Sequence, residues 1–517
     1  MSTDTTVVRT SYGTVAGIAE NGVTRFLGIP YAAAPIGANR FGAPVAHPGW
    51  DGVRDAYEFG PTAPKPEIKG ELGKLMPDPS IEGEEWLNLN VWTPDVKGER
   101  LPVLVWIHGG AFVTGSSAVT AYDGATFARD GVVCVTINYR LGVEGFGYLP
   151  DAPVPANRGL RDQIFALEWV RDNIEEFGGN PGDVTLFGES AGGMSAMTLL
   201  SLDLGLFRRV IAQSATGHIA QSADDAQLVT KAVAAELDVE PTAEAFAKLD
   251  PEEIIGAQAQ ISAAITTTAD PKKYGATTIA SCGMSFMPVI DNDLLTKAPI
   301  DAIAGGKGHD VELLLGTNTE EFRLFVVPTD LVYWSEEILF RLRLGAYGVP
   351  DGTYNKYRYL LPNPSRPYPR PTPATIACAV LTDRMFRIPS YRVAEARANA
   401  QAATHVYEFG WRSPVVPNTV NTALGACHAL EIAFVWDTLS LEDSKAMTGP
   451  TPPQELADTM HRTWVEFAKT GTLGWDQYKV EDRAVMSFSH DNKAEHLLVH
   501  DPRKKEREAW TGELEPS

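Results

Sequence analysis

Cysteine is scarce in this chain: Cys134, Cys282, Cys378 and Cys427 are the only four in 517 residues. They are scattered without metal-type spacing, so reduced thiols in a cytoplasm are the simplest reading. No apolar run is long enough to span a membrane. The start, Met1 to Arg9, lacks the basic and then apolar regions of an export signal, and a cytoplasmic protein is expected. Positive charge is also in deficit. Against 66 Asp and Glu stand 44 Lys and Arg, a net charge of −22. Nucleic acid and anionic membranes need clustered cations, so neither is expected as a partner. Internal repeats and low-complexity tracts are missing too. What remains is apolar material, 44% of the residues, enough for a large buried core.

The most informative stretch is Val184-Thr-Leu-Phe-Gly-Glu-Ser-Ala-Gly-Gly193. An apolar β-branched run ends at Gly188, Ser190 follows, and Gly192 and Gly193 open what reads as a helix. The pattern is G-x-S-x-G, the sharp strand-to-helix turn that lifts a serine hydroxyl above the carboxyl edge of a parallel sheet. Upstream, Leu101-Pro-Val-Leu-Val-Trp-Ile107 reads as a strand buried on both faces. It stops at His108-Gly109-Gly110-Ala111-Phe112. Bare backbone amides after such a strand can face a ligand, so Gly109 and Gly110 are assigned as oxyanion donors, with the Ala191 amide as a third.

Strand-like and helix-like segments alternate along the chain, as α/β architecture requires. Thr24 to Pro30, Leu87 to Thr93 and Gly131 to Ile137 read as strands, and Asp162 to Phe177 carries a helical apolar period. Gly178-Gly179-Asn180-Pro181 breaks that helix before the serine strand. Residues about 62–82 have no clear period and are expected to form a surface loop. Residues about 325–376, with the run Pro362 to Pro371, are expected to be cap or lid material. No linker separates domains, so residues 1–517 are taken as one unit.

Taken together, these strings resemble the type B carboxylesterases, the branch of α/β-hydrolases that includes bacterial para-nitrobenzyl esterases and cholinesterases. The resemblance is carried by Phe26-Leu-Gly-Ile-Pro-Tyr-Ala32, Asn39-Arg-Phe41, Leu89-Asn-Val-Trp-Thr-Pro94 and Trp106-Ile-His-Gly-Gly-Ala-Phe112. It continues through Asn138-Tyr-Arg-Leu-Gly142, Gly159-Leu-Arg-Asp-Gln163, Asn173 to Pro181, Phe187 to Gly193 and Trp464 to Gly471. It implies an α/β-hydrolase fold, with a central, mostly parallel, twisted sheet flanked by helices and carrying cap insertions.

A serine needs a base, and that base needs an acid to orient it. The family pattern places the acid on Glu321, in Val311 to Phe322, with Glu320 as the fallback and Phe322 where the family has glycine. The base is placed on His428, because Gly425 to Trp436 resembles the family's histidine loop. His405 falls in a strand-like segment, His461 reads as a helix surface position, and His490, His496 and His500 lie in a polar tail. The resemblance also implies pairs Arg40–Glu84 and Arg140–Asp162. It suggests a supporting serine near the triad at Ser214, which otherwise reads as an ordinary strand-end residue. Trp86 stands where secreted relatives carry a disulfide cysteine; it either lines the gorge or packs beneath the loop. Phe112, Phe286, Phe322, Phe325 and Tyr333 are candidates for an apolar pocket or for core.

The expected activity is a serine carboxylesterase on small to medium esters, a monomer or small homo-oligomer with no metal or organic cofactor. A carbamate or amide hydrolase would use the same triad. A catalytically silent binding protein is the other class; such relatives typically lose a triad member and carry an export signal.

Overall fold

The computed structural model describes residues 4–329, 336–360, 372–417, 422–489 and 497–517. Tyr333, the Pro362–Pro371 run, His490 and His496 lie outside the described residues. The strands are β1 (Asp4–Arg9), β2 (Thr14–Glu20), β3 (Val23–Pro30), β4 (Val53–Asp55), β5 (Asn88–Thr93), β6 (Leu101–Ile107), β7 (Val133–Ile137) and β8 (Gly179–Glu189). They continue with β9 (Arg209–Gln213), β10 (Gln221–Ser222), β11 (Val289–Ile290), β12 (Glu312–Asn318), β13 (Thr404–Phe409), β14 (Ala484–Phe488) and β15 (Leu497–His500).

One large sheet runs in the order β1-β2-β3-β5-β7-β6-β8-β9-β12-β13-β14-β15, with β4 beside β2. From β7 through β14 all neighbours are parallel. The two ends turn antiparallel. Strands in the middle must be apolar on both faces, because helices cover both sides of a parallel sheet. Alternation along them sorts two cores. Val103, Val105 and Ile107 join Leu186, Val210 and Leu315 on one face. Leu104 and Trp106 join Phe187, Ile211 and Leu314 on the other, under Trp436 and Trp464. Each such side chain, fully buried, contributes roughly 1.5–3 kcal/mol.

The expected strand over residues 101–107 has those bounds, and the others agree within two residues at each end. After a short helix, Gly142–Phe146, the expected helix spans Arg158–Asn173, earlier than its apolar period suggests, and closes in a 3-10 turn, Ile174–Phe177. Gly178, at φ 81°, makes the stop. Residues 62–82 are more than a loop: they hold a short helix, Gly70–Leu75, with Leu75 and Lys65 buried. Residues 325–376 contribute the helices Glu337–Ala346, Thr353–Leu360 and the start of Pro373–Thr382.

Candidate active site

The serine turn forms because three backbones meet there. β8 lies between β6 and β9, and the helix Ala191–Leu200 leaves from its end. Ser190 sits at that junction with φ 55° and ψ −124°. This conformation costs a non-glycine residue roughly 1–3 kcal/mol. It is held by the Ser190 amide donating to Gln213 O (3.0 Å) and by Met194 N donating to Ser190 O (2.8 Å). The motif glycine Gly192 answers a steric need, since a Cβ there would lie 1.9 Å from Ile107 O. The helix points its amide end at the serine, which favours negative charge there.

Beyond β6, the loop His108–Phe112 packs onto this turn; a Cβ on Gly109 would meet Ser190 Cβ at 3.2 Å. Gly110, Ala111 and Phe112 have φ of 111°, 53° and 62°, a left-handed run that turns successive amides the same way. Its backbone is fixed from outside. Tyr139 Oη donates to His108 O at 2.9 Å, and Gly142 N to Phe112 O at 2.7 Å. Gly115 N donates to Asp78 at 2.7 Å, and Asp78 is ion-paired with buried Lys65. The 62–82 segment thus buttresses the loop. Among the described residues, none of the amides from Gly109 to Phe112 donates to a protein acceptor. The Ala111 amide, which sequence reading did not name, is thus left without an acceptor among the described residues, like those of Gly109 and Gly110.

His428 lies on the loop after β13 and reaches Glu321, just past β12. Its Nδ1 is 2.7 Å from Glu321 Oε2, and its backbone N–H donates to Glu321 O at 3.1 Å. Glu321 Oε1 accepts the Asn318 amide at 2.8 Å, so both carboxylate oxygens are engaged. Glu320 points elsewhere. It accepts the Ala426 amide at 3.0 Å and lies 3.3 Å from Arg412 and 3.6 Å from Arg323, anchoring the histidine loop. Phe322, where the family has glycine, has φ −69°, so no left-handed residue is needed. The rings of Phe325 and Phe386 lie 5.3 and 4.8 Å from that of His428.

The ε nitrogen of His428 faces Glu189 Oε1 at 3.1 Å. The Ser190 hydroxyl makes no hydrogen bond among the described residues, and such contacts often tighten only when substrate binds. Burial raises the Glu189 carboxyl well above the ordinary range. Burial alone would lower His428, but the carboxylates of Glu189 and Glu321 outweigh it and raise the imidazole. Glu431, another buried acid acting on His428, is pushed up by burial to about 7, and takes hydrogen bonds from Asn318 (2.6 Å) and Gln213 (3.3 Å). Neither Glu189 nor Glu431 was singled out from sequence. Glu189 reads as the last strand residue, and Glu431 as one polar position in a loop.

Several expectations need correcting. Arg40 does not meet Glu84, which is exposed; it pairs with Glu144 at 2.6 Å and donates to Leu249 O at 2.8 Å. The neighbouring acid, Glu85, takes Arg54 and His47 instead. Arg140 does meet Asp162, through two buried contacts of 2.7 and 2.8 Å. His461 is buried, not on the surface, because its ring packs at 4.5 Å from Phe127. Trp86 packs beneath its loop, 5% exposed, with its indole N–H on Gly83 O at 2.6 Å. Phe112 and Phe286 are core, whereas Phe325 stands by the histidine and Phe322 packs against Phe325 and Phe386. Ser214 is fully buried at φ 46°, its hydroxyl without a partner among the described residues, one residue beyond the carbonyl that holds Ser190.

Beside Glu189 opens a cleft with about 760 Å³ of empty space, its mouth included, lined by Leu75, Met76, Tyr122, Leu430, Ile432 and Met447 among others. The parallel sheet, the serine turn at its carboxyl edge and the histidine loop place the molecule among the α/β-hydrolases. A model of the carboxylesterase family matches residues 4–510. The chain belongs to that family and is a carboxylic ester hydrolase. It is 33% identical over 518 residues to the para-nitrobenzyl esterase of Bacillus subtilis, covering 97% of this chain and 98% of that one. It is 32% identical to the phenmedipham hydrolase of Pseudarthrobacter oxydans, over 93% and 94%. A crystal structure of a Geobacillus stearothermophilus carboxylesterase superposes with a TM-score of 0.81 at 34% identity, covering 98% of this chain and all of that one.

Proposed function

We propose that ester hydrolysis runs through Ser190 as nucleophile, His428 as base and Glu321 as the acid that orients it. The observation that carries this reading is the 2.7 Å contact of His428 Nδ1 with Glu321, on a histidine whose ε nitrogen faces the end of β8. With Nδ1 committed as donor, Nε2 is the free base. It takes the Ser190 proton as the hydroxyl attacks the ester carbonyl. The oxyanion is met by amides from Gly109, Gly110 and Ala191, with Ala111 adjacent, each such donor typically supplying about 10²–10³ in rate. His428 then protonates the departing alcohol, and water repeats the cycle to release the acid.

The apolar cleft beside Glu189 supports small to medium esters with an uncharged apolar group. Asp78 in its wall is neutralised by Lys65, and burial favours the neutral form of Glu189. A cytoplasmic, bacterial-type enzyme fits the four unpaired cysteines, and no described helix is long and apolar enough to cross a membrane. The test is a steady-state series of para-nitrophenyl acetate, butyrate and octanoate, benzyl acetate and acetylcholine. Turnover with benzyl acetate well above acetylcholine is expected. Preference for the cationic ester would overturn the substrate reading, and no turnover at all would overturn the assignment of the triad.

A further inference from the structure

Between the helices Pro373–Thr382 and Ile388–Ala396 the chain makes one π turn, Asp383–Arg387. Pro389 accounts for it. Proline has no N–H for the carbonyl of Met385, and its ring would clash with that carbonyl in a regular helix; a widened turn removes the conflict. Such turns recur at functional sites, and this one carries Phe386, whose ring rests 4.8 Å from that of His428.

What holds the turn is polar and buried. Arg387 grips Asp383 through Nε (2.6 Å) and Nη2. The Tyr357 hydroxyl donates to the same carboxylate, and the Trp510 indole donates to the Tyr357 oxygen at 2.8 Å. All four residues are at most 1% exposed. Arg387 also reaches Pro502 O at 3.4 Å. A continuous line of hydrogen bonds thus runs from the C-terminal segment, through the helix Thr353–Leu360, to the turn that presents Phe386. The ester chemistry uses none of these groups directly, and a fully satisfied buried network of this kind rigidifies what it holds.

We propose that Tyr357, Asp383 and Arg387, braced by Trp510, are positioning residues that act through Phe386 to hold the His428 ring in place and dry. This inference rests on His428 being the base. Loosening the turn lets water reach the imidazole and screen the carboxylates of Glu189, Glu321 and Glu431, whose attraction outweighs burial in raising it, so the imidazolium becomes harder to keep. The acid limb of the kcat/KM profile then moves to lower pH.

The experiment compares wild type, Tyr357→Phe, Phe386→Leu and the double variant on para-nitrophenyl butyrate, with pH profiles for each. Tyr357→Phe deletes one oxygen and leaves the ring in place. It is expected to lower kcat by about threefold to tenfold, as misplacement of a reacting group does. It should also lower the acid limb by about half a unit, because water screens the carboxylates that hold the imidazole up. Phe386→Leu should do the same, and the double variant should match Phe386→Leu alone, because coupled residues are non-additive. An unshifted acid limb in Tyr357→Phe, or additive effects in the double variant, would overturn the proposal. If Tyr357→Phe does not fold, Trp510→Phe, which removes the next donor in the line, is read by the same two criteria. Wild type is first titrated with a fluorophosphonate. No labelling there would sink the esterase mechanism and this inference with it, whereas normal labelling with an unshifted limb sinks this inference alone.

Discussion

Replacing Glu189 by Gln keeps its size and removes its charge, and the consequence can be worked from one distance. Glu189 Oε1 lies 3.1 Å from His428 Nε2, with both side chains buried. Unit charges about 4 Å apart interact by about 4 kcal/mol at an effective dielectric of about 20, equivalent to roughly three pKa units. Glu189 is itself raised by burial to about 8 and carries only a small part of a charge near neutrality, so about a few tenths of a unit should remain. The sign is fixed by the chemistry: a neighbouring carboxylate stabilises the imidazolium, and the base must be neutral to take the serine proton. Removing the charge lowers the His428 pKa, and the acid limb of kcat/KM moves to lower pH. Activity at pH 6 relative to pH 8 therefore rises in Glu189→Gln. The assay is kcat/KM for para-nitrophenyl acetate from pH 5 to 9, corrected for spontaneous hydrolysis. A limb that stays put, or moves up, refutes the claim that Glu189 sets the affinity of His428 for its proton.

Glu321→Gln should cut kcat by about 10³–10⁴, since it loses the tautomer and the countercharge, whereas Glu320→Gln should cost much less; equal losses would refute the choice between them. Gly192→Ala forces a Cβ to 1.9 Å from Ile107 O, and should destabilise toward the upper end of about 1–3 kcal/mol, read as a lowered urea midpoint; an unchanged midpoint would contradict the packing argument. Arg140→Met strands the buried Asp162 and should cost about 3–5 kcal/mol; adding Asp162→Leu should recover part of it, and further loss in the double variant would contradict that account.

The parts legible in the sequence are those fixed by local rules. Apolar runs of the right length marked β6 and β7, and glycine spacing marked the serine turn, because only one backbone path fits those residues. Glu321 and His428 were reached through resemblance, since nothing local distinguishes Glu321 from Glu320. The structure separates them by direction: one faces His428, the other Arg412 and the loop amide of Ala426. What stayed hidden depends on contacts distant in sequence. Arg40 meets Glu144 across 104 residues, so an exposed acid, Glu84, could be mistaken for its partner. His461 faces Phe127 across the gap between helices, which helical periodicity alone cannot reveal. The π turn at Asp383–Arg387 has a local cause in Pro389, yet its importance comes from Phe386 meeting a loop more than 40 residues away.

The proposed chemistry starts at Ser190, the nucleophile. Intact-mass measurement after treatment with a fluorophosphonate tests it most directly, on wild type and on Ser190→Ala. One adduct per chain is expected in wild type, mapped to the peptide that holds Ser190, and none in Ser190→Ala. An adduct that persists in Ser190→Ala, or folded wild type that hydrolyses para-nitrophenyl acetate yet takes up no label, would contradict it.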